Sequence, residues 1–377
     1  MAGKPNSLRV LMVATRSFPY TGGVETHIRE VGRRLVKAGV EVTVLSTDLS
    51  AQLPPIEEVD GMLTHRVPAW PTDKDYYFAP DIYRFITRGH WDIVHCQGYH
   101  NFVAPMTMLA ARRNKMPYVV TFHSGGESFR LRKMLRGMQR MALRPLLAQA
   151  ERLIGPSKWE VEFFREKLHL PRRQFSVIPN GAYHLPGGEG TTPKGTAGGK
   201  LVVSIGRLEK YKGHQRVIAA LPLVQKQVPD VRLRIVGVGP YGSTLRKMAS
   251  ELGVAERVEI RAVPPGDDGG MASLIKSADL VTLLSEHEAQ GIAVLEALAL
   301  RRPVLVANTT ALQDFVNLGL APGVPLESSP ETVAEAMISQ LCKPLIPTNI
   351  ELPTWDDCAS ELLVLYQSIV GKKLCVF

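Results

Sequence analysis

The alternation of short apolar strands with helical stretches limits this chain more than any other feature. "LRVLMVAT" (8–15) reads as a buried strand; a glycine-containing loop follows, then "VETHIREVGRRLVKAG" (24–39), which has helical spacing and ends at a glycine. "VEVTVLST", "WDIVHCQ", "PYVVTFH" and "RLIGPS" continue the series, separated by helical stretches. Strands that alternate with helices build a parallel sheet covered on both faces. "HLPGGEGTTPKGTAGGK" (184–200) interrupts this rhythm: rich in Gly, Pro and Thr, with almost nothing to bury, it reads as a linker. Beyond it the alternation restarts with "LVVSIGR", "VRLRIVG", "RVEIRAV", "ADLVTLLS" and "RPVLVAN". The pattern therefore predicts an α/β chain of two Rossmann-like βα-repeating domains, 1–183 and 201–353, joined by 184–200. Ligands of such sheets bind at the carboxyl ends of strands, and a cleft between the domains is the expected site. The closing "TWDDCASELLVLYQSIVG" is an amphipathic helix; pattern does not assign its domain, and 354–377 is a candidate to pack back on the first.

Of the 377 residues 45% are hydrophobic and 21% charged, globular values that exclude a disordered chain. The net charge of +9 calls for anionic partners, and charge alone does not choose among phosphorylated small molecules, acidic lipid surfaces and nucleic acid. Cys96, Cys342, Cys358 and Cys375 are far apart and form no CxxC pair, which fits a reducing cytoplasm and argues against a zinc site or a disulfide framework. The apolar run near the N-terminus is short and leads into a loop, so it is expected to be the first strand and not a signal peptide. No apolar stretch approaches the ~20 residues of a membrane span. One segment stands apart: from Phe129 to Ala150 there is no acidic residue. Arg130, Lys133, Arg136, Arg140 and Arg144 share one helix face there, and Leu131, Leu135, Met138 and Ala142 another. Such a helix suits an anionic membrane surface, or it is a surface helix with a solvated basic face.

The candidate chemistry sits at strand ends. "LLSEHEAQGIAVLEALALRRPVLVA" (283–307) places Glu288 after a strand, Gly291 at a helix start, whose free N–H groups favour phosphate, and Glu296 inside an apolar helix. A ribose, with two hydroxyls, would satisfy a carboxylate at 296; a solvated position on a half-buried helix would also explain it. "SIGRLEKYKGHQRVI" puts Arg207 and Lys212 just after a strand, two cations suited to a diphosphate without a metal. Gly22 and Gly23 after the first strand allow close approach of a ligand or simply a flexible turn. His123 ends the strand "VVTFH" and is a candidate for a hydroxyl or phosphate oxygen; His95 reads as a packing residue. "GVGPYG" (237–242) is a literal dinucleotide-binding pattern, but the acid about twenty residues on, Glu259, falls inside a strand where ribose binding cannot use it. Asp73-Lys74-Asp75 spells a metal-binding DxD in a loop flanked by Pro and Trp, not at the end of a buried strand.

Taken together these pieces resemble glycosyltransferase family 4 and its GT-B fold of two Rossmann-like domains. The resemblance runs from "RVLMVATRSFPYTGGVETHI" to "EHEAQGIAVLEALALRRPVLVA", in matching order. "SIGRLEKYKG" is similar to the family's donor-phosphate motif and "VIPNGA" to its hinge stretch. "IVGVGP" matches its VGxGP segment, and "EAQGIAVLEA" fits its E-x7-E pattern. The resemblance implies a retaining, metal-independent transfer of a sugar from a nucleotide sugar such as a UDP- or GDP-hexose to a hydroxyl acceptor. The acceptor would be lipid-linked, a polysaccharide or a small molecule. It implies no cofactor, no nucleic-acid partner, and a cytoplasmic enzyme that the basic helix 129–150 tilts toward the inner membrane face. It assigns Glu288 and His123 to the transferred sugar, Glu296 to the ribose, and Arg207 and Lys212 to the diphosphate and the leaving charge. Gly22, Gly23, Gly291 and Ile292 would line the nucleotide and phosphate site. Ala289-Gln290 replace the family's usual Gly-Phe beside the donor sugar, which leaves the identity of that sugar open. An epimerase or phosphorylase on the same plan, a non-catalytic anion binder, or a nicotinamide oxidoreductase using "GVGPYG" are the competing readings.

Overall fold

The computed structural model describes residues 7–72, 77–124, 130–182, 199–348 and 350–374, with side chains left aside for 130–136 and 372–374. The chain divides into two compact units, Met1–Asn180 with Trp355–Phe377, and Gly181–Thr354.

The first unit is built on β1 (Arg9–Ala14), β2 (Glu41–Asp48), β3 (Ile56–Val59), β4 (Met62–Pro68), β5 (Ile93–Gln97), β6 (Tyr118–Thr121), β7 (Arg152–Gly155) and β8 (Phe175–Val177). They hydrogen-bond in the order β3-β4-β2-β1-β5-β6-β7-β8. The central strands are buried on both faces, which is why they read as unbroken apolar runs. Covering them are α1 (Gly23–Lys37), α2 (Pro80–Arg88), α3 (Val103–Arg113), α4 (Arg130–Leu147) and α5 (Lys158–Leu168). Pairing is parallel except for β3, which runs antiparallel to β4 at one edge. This hairpin departs from the all-parallel expectation. Asp60 and Gly61, both at positive φ, make its two-residue turn, and Asp-Gly is the residue pair such a turn requires.

The second unit carries β9 (Leu201–Ile205), β10 (Arg232–Val236), β11 (Val258–Ile260), β12 (Leu280–Leu283), β13 (Val304–Ala307) and β14 (Gly323–Val324). Its helices are α6 (His214–Gln227), α7 (Gly242–Glu251), α8 (Asp268–Ser277), α9 (Ile292–Ala299), α10 (Leu312–Asn317) and α11 (Pro330–Cys342). Every strand pair is parallel, in the order β11-β10-β9-β12-β13-β14. Written from the first strand of the unit this is 3-2-1-4-5-6, the doubly wound order, whose connections reverse direction between β9 and β12.

The last helix, α12 (Trp355–Leu374), belongs to the first unit. Trp355, Leu362 and Tyr366 on it are fully buried. It is held to α1 by Arg34, whose Nε donates to Asp356 Oδ1 at 2.8 Å while its Nη1 reaches the buried Glu30 at 2.6 Å. Arg33 pairs with the same Glu30 oxygen at 2.5 Å, so the buried carboxylate faces two guanidinium groups. The tyrosine hydroxyl of α12 meets His95 of β5 at 2.5 Å, and His95 Nε2 meets Thr121 at 2.7 Å. Both ring nitrogens of His95 are therefore occupied, as befits a packing residue.

Candidate active site

The order reversal between β9 and β12 opens a crevice beyond their carboxyl ends. Two loops bound it: 206–213 after β9 and 284–291 after β12. Gly213 brings them together. Its φ is +78°, and a Cβ there would lie 1.9 Å from the Leu284 carbonyl oxygen. Lys212 is thereby set against Glu288, with Nζ donating to Oε1 at 2.6 Å. The Ser285 hydroxyl donates to the same oxygen at 2.7 Å, and the Glu288 N–H donates to Thr310 Oγ1 at 2.9 Å. Burial pushes the Glu288 carboxyl up, and the ammonium of Lys212 with the Ser285 hydroxyl more than reverses this, leaving it below the usual carboxylate range. Burial likewise works against the charge on Lys212, and Glu288 restores it above the ordinary lysine value. Both groups stay ionised through the neutral range.

Arg207 stands at the mouth of this crevice, 44% exposed. Its Nη2 donates to the Tyr211 hydroxyl at 2.5 Å and its Nη1 lies 2.8 Å from Glu209. Tyr211 stacks on His287, with ring centroids 4.4 Å apart and planes 16° from parallel, and the Glu286 N–H donates to the Tyr211 carbonyl at 2.7 Å. One aromatic pair thus spans the two loops. Beneath it His214, fully buried, bonds Ser204 through Nδ1 at 2.8 Å, and burial pushes its imidazole down to about 4. Ser285, Tyr211, His287 and His214 were not singled out in the sequence. Tyr211 and His214 flank the Lys-Gly pair directly, and that adjacency was the available signal.

Gly291, at φ +95°, caps α9, and Glu296 follows one turn after Ile292. The sequence left two readings open for Glu296, a carboxylate enclosed by apolar neighbours and a solvated position on a half-buried helix. The structure agrees with the second: Ile292, Ala293, Glu296 and Ala299 form the half-exposed stripe of α9, while Val294, Leu295, Ala297 and Leu298 face the core. Glu296 and Ile292 therefore share a face, one turn apart.

The "GVGPYG" segment has a different task. A Cβ on Gly237 would lie 1.9 Å from the Gly206 carbonyl oxygen, and one on Gly239 would lie 2.5 Å from that of Leu208. Leu208 N–H donates to Val238 O, and Tyr241 N–H to Leu208 O, each at 2.9 Å. These glycines let the loop after β10 press against the loop that carries Arg207. Glu259 sits within β11 and pairs with Arg234 of β10. No oxidoreductase site follows from the motif.

In the first unit the matching reversal lies between β1 and β5. Gly22, extended at φ 167°, precedes α1, and Gly23 opens the helix. His123, half-buried after β6 at φ +52°, has Nε2 2.8 Å from Gln97 Oε1. Burial, then His27 and His95, push its imidazole well below the ordinary value. His27 of α1 lies beside it at 4.8 Å between ring centroids and bonds Asn180 at 2.8 Å. Asp73 and Asp75 lie outside the described residues. Among the described residues no three His, Cys, Asp or Glu side chains gather as metal ligands would. No described helix is long and apolar enough to cross a membrane.

The expected basic face of α4 is altered over its described half. Arg140 is only 7% exposed and lies over the Phe163 ring at 5.8 Å. Arg144 donates through Nε to the Leu168 carbonyl at the end of α5 at 2.8 Å. Met138 and Met141 are turned outward, 64% and 76% exposed, and Ala142, Arg144 and Pro145 are exposed beside them.

Two α/β units on largely parallel sheets, each with its order reversal, are the build of the GT-B class of glycosyltransferases. Solved chains of that build superpose on this one. Sucrose-phosphate synthase from Thermosynechococcus elongatus has a TM-score of 0.73 at 18% identity over 97% of each chain, and Anabaena HepE in complex with UDP and glucose has 0.69 at 17% over 98% of each. Residues 21–183 match the family profile described as Glycosyltransferase Family 4, and 194–349 the one described as Glycosyl transferases group 1. The chain belongs to glycosyltransferase family 4 and is a hexosyltransferase-type enzyme. Among its relatives is a D-inositol 3-phosphate glycosyltransferase of Nocardiopsis dassonvillei, 27% identical over 93% of this chain and 91% of the relative. Another is the phosphatidyl-myo-inositol mannosyltransferase of Mycobacterium tuberculosis, 26% identical over 97% and 98%.

Proposed function

We propose that this enzyme transfers a hexose, with retention and without a metal, from a nucleotide-diphosphate sugar to a hydroxyl acceptor. The observation that carries this reading is the pair of cations, Arg207 and Lys212, held at the order reversal of the second sheet beside Glu288 and the start of α9. Two cations there neutralise a diphosphate, the task a metal performs elsewhere. In the transfer the bond from the anomeric carbon to the phosphate oxygen breaks. The acceptor oxygen bonds that carbon from the face the diphosphate leaves, and a phosphate oxygen takes the acceptor proton. The charge on the leaving diphosphate grows in the transition state, where Arg207 and Lys212 act. Glu288 is assigned to the sugar, Glu296 and Ile292 to the nucleoside, and Gly291 to the phosphates. His123, Gly22 and Gly23 of the first unit are assigned to donor contact by the resemblance and by their place at strand ends.

UDP-bound HepE and the inositol-phosphate names of the relatives suggest the first assays: UDP- and GDP-hexoses as donors, inositol phosphate and phosphatidylinositol as acceptors. Lys212→Ala is expected to lower turnover by at least ~100-fold, a loss beyond what the destabilisation from leaving Glu288 unpaired explains, in protein whose melting transition shows it folded. An equal loss of folding would make the lysine structural. EDTA is expected to leave turnover unchanged; its abolition would restore a metal. Peripheral attachment to an anionic membrane is proposed for α4, supported by its acid-free sequence and by the outward Met138 and Met141. Met138→Glu with Met141→Glu is expected to weaken sedimentation with phosphatidylglycerol vesicles, and unchanged sedimentation would remove the helix from that role.

A further inference from the structure

Lys212 has two claims on it. It is assigned to the diphosphate of the donor, yet its ammonium is bonded to Glu288. We propose that Glu288 sets the charge of the phosphate subsite, so that the site holds a nucleotide sugar in preference to the nucleoside diphosphate it becomes. This rests on the reading of Arg207 and Lys212 as diphosphate ligands and gives Glu288 a task beyond contact with the sugar.

The carboxylate is not a loose neighbour of the lysine. Lys212 Nζ and the Ser285 hydroxyl converge on one of its oxygens at 2.6 and 2.7 Å, and its own N–H is tied to Thr310. The two side chains are only 15% and 13% exposed, where water screens charge poorly. Arg207 is paired as well, with Glu209. Two cations are therefore matched by two carboxylates, an odd balance for a site that binds anions. It makes sense for a site that must bind one anion and release another. Both phosphates of a nucleotide sugar are esterified and carry one charge each. The terminal phosphate of the released nucleoside diphosphate has a second ionisation near pH 6, as phosphate monoesters do, and so carries close to one further charge at neutral pH. That added charge arises beside Lys212, where Glu288 meets it as a like charge. The site holds the donor and expels the product.

Calorimetry with UDP, GDP, UDP-glucose and GDP-mannose on the full chain tests this. Glu288→Gln keeps the shape of the side chain and removes its charge. At pH 7.5 it is expected to tighten binding of the nucleoside diphosphate about tenfold and of the matching nucleotide sugar by less than about threefold. At pH 5.5, where most of the product's second terminal charge is gone, the gap between the two gains should narrow. Lys212→Ala combined with Glu288→Gln should abolish the gain. Product affinity that is unchanged or weaker in Glu288→Gln, or equal gains for product and donor at pH 7.5, would overturn the proposal. Should Glu288→Gln fail to fold, Glu288→Ala is read for the same direction. Wild-type protein that binds none of the four compounds would overturn the donor reading itself, and the proposal with it.

Discussion

Tyr211 ties together both loops of the second unit's crevice. Its hydroxyl fixes Arg207, its ring stacks on His287, and its carbonyl accepts from Glu286. An exposed arginine loses rotamer freedom when it is used, about 2 kcal/mol for a long side chain, and Tyr211 removes part of that cost in advance. Tyr211→Phe is expected to lower kcat about fivefold with a smaller change in donor KM, measured in the transfer assay; a pure KM effect would count against it. Two buried histidines make a second prediction. His27 and His214 are each pushed down to about 4 by burial, from 6.5 in the unfolded chain. Above pH 6.5 neither state binds the proton and no stability is lost. Between 6.5 and 4 the unfolded chain binds it and the folded one does not, so stability falls with falling pH. The loss approaches on the order of 3 kcal/mol per histidine by pH 4, one in each unit. Urea melts at pH 7.5 and 5 should show this, and His214→Gln should flatten the slope in the second unit.

At the scale of elements, close backbone contact decides where the charges stand. Gly213 against Leu284, Gly237 against Gly206 and Gly239 against Leu208 lock three strand-end loops into one block. Arg216 adds to it, donating to the carbonyls of Leu284 and Pro325 at 3.3 and 2.8 Å. Gly213→Ala places a methyl on a carbonyl oxygen at a left-handed φ, and is expected to cost about 2–4 kcal/mol in a urea melt and to lower turnover as Lys212 leaves Glu288. Wild-type stability in that variant would mean the loops give way freely. The central strands of both sheets were readable as apolar runs because burial on two faces demands such runs, whereas the short edge strands β8 and β14 are too brief to show one. The β3–β4 hairpin announced itself only through Asp60-Gly61, in a segment whose polar alternation resembles a loop. On α4 helical spacing put Arg140 and Arg144, the described part of the expected basic face, on one side. Its direction depended on Phe163 and on the carbonyl at the end of α5, neither of which helical spacing can supply.

At the scale of the molecule, the first unit is discontinuous: it needs α12, some 175 residues beyond the rest of it by chain position. Trp355 fills its interior, and Arg34 links Asp356 to the buried Glu30. A chain ended after Thr354 is expected to lose the first unit's thermal transition while keeping the second's; two intact transitions would show that α12 is dispensable. The sequence by itself determined the βα repetition and which residues stand at strand ends. Those properties follow from local periodicity and from turn chemistry, both written in neighbouring residues. It also carried the family, through motifs whose residues are contiguous. Only the tertiary structure decided that Lys212 is shared with Glu288, 76 positions away, and that the glycines of "GVGPYG" serve loop packing. It also decided that Glu296 lies on a half-exposed stripe. Each of these depends on which strands become neighbours in a sheet, and the sheet order brings together segments that the chain keeps far apart.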